Sequence, residues 1–241
     1  MGMRSLDGTF VVMGTRVPRV VGLLVGLTLG LSILGAVGSR NGLPLRHAGA
    51  LIPDLVLGGE VWRVVTWVFF ETEALPLVFG LLGLWWFGGD LSQTWGSRRF
   101  LGTYLGLTVA TGVATSLLAL VVPGFIQPAY AGPWPLVDAL IIAWATHYPY
   151  RDLYVYFVLP LRGRNLIYAT LGGTLLFGLL YGLPLFVPHF IAQGMMLVYL
   201  RGLRNLLLRI WPTRVWTPPR RSSNLRAVEK NAREEPPRWL H

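Results

Sequence analysis

Cysteine is absent from the chain, which excludes disulfides, thiolate metal sites and cysteine nucleophiles. Lysine occurs once, at Lys230. Charged residues of all kinds make up 13% of the sequence, about half of the roughly 25% typical of a soluble domain. No phosphate loop or dinucleotide fingerprint is present. His47 and His147 stand alone, without the spacing of a metal site. No cofactor and no metal are therefore expected. What is there is apolar: 53% of the 241 residues are hydrophobic, a membrane composition with room for several helices of about 20 residues. The formal charge of +10 is carried almost wholly by arginine, placed at the ends of apolar runs and in the C-terminal tail. That placement suits lipid headgroups rather than nucleic acid.

Six apolar segments follow in order, at 17–37, 74–89, 100–122, 136–147, 165–183 and 185–200. The first starts near Val17, is long enough to span, and lacks a cleavage site, so no removable signal is expected. A connection of intermediate polarity at 39–73 holds Trp62 and Trp67, which favour the headgroup level. The second segment is short and ends at Gly88-Gly89. The third carries Gly102 and Gly106, spaced for close helix approach. The sixth runs on as a basic helix through Arg201, Arg204 and Arg209. With the N-terminus inside, Arg4, Arg16, Arg98, Arg99, Arg151, Arg162, Arg164 and the tail all fall on the cytoplasmic face, as the positive-inside rule requires. Only the first outer loop dissents, with Arg40, Arg46 and Arg63.

Residues 60–100 are the most distinctive. They read Trp62-Arg63-x-x-Thr66, then an apolar helix from Ala74, then Phe87-Gly88-Gly89, then Gly96-Ser97-Arg98. The order resembles the second transmembrane region of the rhomboid family, intramembrane serine proteases and their inactive relatives. That resemblance implies a six-helix bundle with both ends inside and a partly embedded first loop. In it Trp62 and Arg63 anchor the loop, and Gly96 and Ser97 form the structural turn.

The family's chemistry is a serine in Gly-x-Ser-Gly at the fourth span, a histidine on the sixth, and His and Asn side chains on the second as oxyanion donors. A nucleophile of this kind needs a base within hydrogen-bond reach, and its tetrahedral intermediate needs donors. Here the serine position falls on Trp134, or on Ala131 in the alternative register. The donor positions fall on Pro76 and Gly80. The histidine position falls on Phe190, with Ile191 or Ala192 if the register slips; the neighbouring His189 is expected on another helical face. No catalytic residue is assigned. Met195, Met196 and Tyr199 are expected either to hold the fourth and sixth helices apart or to fill the cleft.

Asp138 lies one turn past Trp134 on the same face. An ionisable residue inside a span is a functional candidate by default: it could bind a polar group of another helix or pair with His189. Glu71 and Glu73, at the outer mouth, are read as solvated. From Arg201 onward ten basic residues stand against three glutamates, so Arg201, Arg204 and the tail are candidates for anionic lipid or a partner.

The whole reads as an all-α integral membrane protein with a six-helix rhomboid-like bundle. A cytoplasmic segment would occupy 1–16, the membrane domain 17–210 and a basic, disordered tail 211–241. Its expected work is non-proteolytic: binding transmembrane helices of other membrane proteins as an adaptor or stabiliser. The alternatives are a dedicated subunit of a larger membrane complex, an intramembrane hydrolase with a rebuilt site and, against the lack of an inverted repeat, a transporter. The arginine-rich, lysine-poor composition suggests a bacterial inner membrane.

Overall fold

The computed structural model describes residues 9–12, 15–122, 124, 128–155 and 159–210; for 9–17, 153–160 and 203–210 the backbone alone is described. The expected tail at 211–241 and the first eight residues lie outside that range. The chain divides into two units, Met1–Arg201 and Gly202–His241.

The first unit opens on an antiparallel hairpin, β1 (Thr9–Val12) and β2 (Thr15–Pro18), with Thr9 opposite Pro18. Helix α1 (Arg19–Arg40) follows Pro18, whose ring presets the backbone for a helix start. The connection to the next long helix is built from α2 (Leu45–Gly49), α3 (Pro53–Leu57), α4 (Arg63–Thr66) and a 3-10 turn at Trp67–Phe69. Then come α5 (Ala74–Trp95), α6 (Ser97–Val121) and α7 (Trp134–His147). A second hairpin, β3 (Asp152–Val155) and β4 (Leu159–Arg162), pairs Asp152 with Arg162. Helix α8 (Gly163–Tyr181), a 3-10 turn at Leu183–Phe186 and α9 (Val187–Ile210) complete the described chain. In the second unit the described residues continue α9 to Ile210.

Helix α7 is the centre of the first unit. It packs against α5 on one side and α8 on another, and nine of its fourteen residues are buried. Helix α1 packs on α5 and on α2, while α6 packs on α3, α4 and α5. Trp67, Phe100, Tyr104 and Trp144 are the largest side chains in the core. Large apolar side chains instead face outward along α1 (Leu23, Leu27, Leu34) and α8 (Leu176, Leu179, Leu180). In water such faces would be costly; in hydrocarbon they are the solvated surface. The protein is an integral membrane protein. By length and composition, four helical stretches among the described residues suit a crossing: Arg19–Arg40, Ala74–Trp95, Ser97–Val121 and Leu183–Gly202.

One local expectation is corrected. Gly88-Gly89 does not end α5, which continues to Trp95. A helix in lipid keeps its own hydrogen bonds because no water replaces them, and Gly88 serves instead as a seat for the Phe100 ring, which an added Cβ would approach to 3.1 Å. Trp67 is fully buried in the protein.

Candidate functional site

The Trp62-Arg63-x-x-Thr66 motif braces the first loop by capturing consecutive backbone carbonyls. Trp62 Nε1 donates to Ala48 O at 3.3 Å, Arg63 donates to His47 O and, at 2.7 Å, to Ala50 O, and Thr66 Oγ1 donates to Gly49 O at 2.9 Å. These are carbonyls at the C-terminal end of α2, which lack partners within so short a helix. Arg63 is 3% exposed and its remaining N–H groups pair with Glu60 at 2.6–2.7 Å. Loop and bundle meet again where Leu51 and Tyr130 exchange backbone hydrogen bonds at 2.8 Å.

The outer rim lies just beyond. Glu71 is buried, correcting the expectation that it is solvated, whereas Glu73 is exposed. Burial pushes the Glu71 carboxyl above its usual range, against two backbone N–H bonds to Oε1 from Thr72 and Glu73 that pull it down. Its other oxygen sits against Gly132, which has φ +94° and no room for a Cβ. Tyr130 donates to Pro184 O at 2.7 Å, and burial pushes its phenol up to about 12.

Pro76, Gly80 and Trp134 meet at the α5–α7 seam. Trp134 Nε1 donates to Pro76 O at 3.0 Å. A Cβ on Gly80 would lie 2.9 Å from Pro133 Cγ and 3.6 Å from Trp134 Nε1, and one on Gly83 would lie 2.6 Å from Val137 Cγ1. Glycines thus let the two backbones close, and the indole fills the upper end of the seam with its single polar hydrogen committed.

One turn below, Asp138 and His189 come together. His189 Nδ1 lies 2.7 Å from Asp138 Oδ2, and Gln193 Nε2 donates to the same oxygen at 3.3 Å and to Thr174 Oγ1 at 2.6 Å. Helices α7, α8 and α9 are therefore joined by one polar network. Phe190 does not belong to it: its ring lies by Gly178 of α8, 3.6 Å from where a Cβ there would be. This reverses the expected orientation. Neighbouring helical residues diverge by about 100°, and the packing of α9 against α7 and α8 sets it so that His189 faces α7. Met195, Met196 and Tyr199 do not fill the space by Trp134; they line a groove of about 500 Å³ with Gly102, Gly106 and Ala110 of α6. Tyr199 accepts there from Arg99 at 3.3 Å and Thr103 at 3.4 Å.

At the opposite end Gly96, at φ +83°, turns α5 directly into α6, and Ser97 is buried. Nearby Asp90 Oδ2 accepts from Trp144 Nε1 at 2.9 Å and Arg151 at 2.8 Å, with the guanidinium over the Trp144 and Tyr148 rings. Trp95 donates to His147 Nε2 at 3.1 Å. Arg201 is exposed; the Arg204 side chain lies outside the described residues. Sequence reasoning missed Gln193, Thr174 and Asp90. Of these only Asp90, a lone carboxylate at the end of an apolar helix, carried a signal.

A family model described as "Eukaryotic integral membrane protein (DUF1751)" matches residues 21–205. Among curated proteins, the chain is similar to the rhomboid protease GlpG of Salmonella newport (strain SL254), 27% identical over 81 residues, and to that of Salmonella choleraesuis (strain SC-B67), 32% identical over 81 residues. Each match covers 34% of this chain and 25% of the relative, so the chain spans about a quarter of the length of the curated relatives it matches.

Proposed function

The chain belongs to the integral membrane family DUF1751 and is rhomboid-like, and from that footing we propose that it is a non-proteolytic member that binds transmembrane segments of other membrane proteins. The observation that carries the reading is Trp134. The residue at the serine position is an indole whose one polar hydrogen is spent on the Pro76 carbonyl, and Pro76 and Gly80 bring no side-chain donor to the place where an oxyanion would need one. Without nucleophile or donors, a lipid-embedded bundle can still associate with other helices through packing and interhelical hydrogen bonds.

In this reading all six long helices cross the membrane. Helix α7, at fourteen residues, rises only about 21 Å, short of the roughly 30 Å hydrocarbon core. Being wrapped by its neighbours, it does not have to match the lipid. Helix α8 opens on Arg164 and Asn165, which lower its apolarity, yet its second half is lined with exposed Leu and Phe. Both termini are then cytoplasmic, and the basic composition of 211–241 has the charge to attract anionic lipid.

The test is a purified chain in proteoliposomes, given a model transmembrane substrate and a fluorophosphonate probe. No cleavage and no labelling are expected; either one refutes the proposal. Purification in mild detergent then separates a binding protein, which carries several substoichiometric clients, from a dedicated subunit, which carries one stoichiometric companion. One contact favours a second reading, a hydrolase with a rebuilt site: the 2.7 Å pairing of His189 Nδ1 with Asp138 is the arrangement that orients an imidazole as a base. Cleavage by wild type that disappears in both Asp138→Asn and His189→Ala would establish it.

A further inference from the structure

The network around Asp138 has an imbalance that names its ligand. The amide and imidazole donors that face Asp138 are used: Gln193 gives its amide hydrogens to Asp138 and Thr174, and His189 gives Nδ1–H to Asp138. The acceptors are not all used. Both contacts to Asp138 end on Oδ2, and among the described residues no donor reaches Oδ1. Gln193 is 1% exposed, and its Oε1 is buried without a partner. Rotating the amide would let the Thr174 hydroxyl donate to the oxygen, but would set that oxygen 3.3 Å from the Asp138 carboxylate. With Nδ1–H directed at Asp138, a neutral imidazole leaves His189 Nε2 as a further acceptor. Inside a bilayer such valences are costly to leave open. The Asp138 and His189 side chains keep 13% and 18% of their surface exposed, so the site can be reached.

We propose that Asp138 and His189, positioned by Gln193, form a recognition site for a multi-donor side chain, the ammonium of a lysine, carried by a transmembrane helix bound alongside α7–α9. The inference rests on the helix-binding reading and gives it a sequence preference. Asp138 is the fifth residue of α7 and Gln193 the seventh of α9. The complementary lysine therefore lies roughly 6–10 Å below the outer ends of the helices, at 1.5 Å per residue.

The test uses the full chain in phosphatidylcholine nanodiscs, whose lipid carries no N–H donor. Dansyl-labelled Leu/Ala transmembrane peptides carry a single Lys in the outer third, a single Lys in the inner third, or none. Energy transfer from the protein's tryptophans reports binding. The outer-Lys peptide is expected to bind wild type at least tenfold more tightly than the other two. In Asp138→Asn that ratio is expected to fall below twofold. Outer-Lys and all-apolar peptides binding wild type equally, or a preference that survives Asp138→Asn, overturns the inference and leaves helix binding standing. If none of the three peptides binds, the helix-binding reading falls first.

Discussion

Removing the Arg63 guanidinium tests whether the first loop is held by its capture of α2 carbonyls. Arg63→Ala withdraws donors from His47 O and Ala50 O and strands Glu60. Each buried carbonyl left unsatisfied costs about 1–3 kcal/mol. The Glu60 pairing adds no more than about 1 kcal/mol, because that carboxylate is a third exposed and screened. A loss of about 3–4 kcal/mol follows, which at about 1.4 kcal/mol per tenfold is two to three orders of magnitude in the opening equilibrium. The hydrogen bonds that Arg63 and its neighbours make all fall within residues 47–66, so the cost should appear as local opening of the loop. Hydrogen exchange read by mass spectrometry over residues 45–70, in detergent micelles, is the assay. Exchange there should accelerate about 100-fold or more, while the α7 amides stay protected. Arg63→Lys should recover less than half of the effect, since one ammonium cannot reproduce the planar fork. Arg98→Ala, at an exposed arginine of the α5–α6 turn, is the control. If Arg63→Ala exchanges within threefold of wild type, the brace is ornamental and the reasoning fails.

Other consequences are simpler to check. Gly83→Ala places a Cβ 2.6 Å from Val137 Cγ1 and should lower stability by about 1–3 kcal/mol through overpacking; thermal melting followed by tryptophan fluorescence reads it, and adding Val137→Ala should return part of the loss. The raised carboxyl of Glu71 means that the folded state holds its proton to higher pH than the unfolded state does. Its contribution is therefore fully present below the unfolded value of 4.5 and is lost as pH rises through the folded one. Glu71→Gln should melt higher than wild type near neutral pH, and the gap should close as pH falls toward 4.5; a gap that widens on acidification contradicts the assignment. Trp134→Ser should not create a protease, because Phe190 faces α8 and the seam still lacks oxyanion donors. Cleavage of a model transmembrane substrate by that single variant would show that the site is more nearly complete than its geometry suggests.

How much of this was legible depended on how locally each feature is encoded. The Trp62–Thr66 brace reads directly from sequence because all its acceptors lie within 17 residues and the motif names the donors. The six long helices follow from apolar runs, with ends displaced by a few residues where capping by Gly96 and Pro18, not hydropathy, sets the boundary. Gly88-Gly89 misled because glycine in water reads as a stop, whereas here it makes room for Phe100. The direction of His189 could not be read, since the rotation of α9 is set by its packing against α7 and α8 rather than by its own sequence. Gln193 and Thr174 were silent: an amide and a hydroxyl in an apolar helix look ordinary until two other helices bring Asp138 to them.

The two halves of the candidate site differ in a way that decides where function is to be sought. At the seam, the Trp134 hydrogen and the Pro76 carbonyl satisfy each other and glycines close the gap, so nothing there is left to act on a ligand. At the Asp138 network the amide and imidazole donors are committed, while Asp138 Oδ1 and Gln193 Oε1 have no partner among the described residues. A bilayer offers few substitutes for water, so an unfilled valence in it is a standing free-energy cost that any matching partner removes. On the proposed reading, residue identities at the positions of a protease's chemistry mark what the chain has given up. On the same reading, the hydrogen-bond balance one helical turn below marks what it would accept, and that balance is where the search for partners starts.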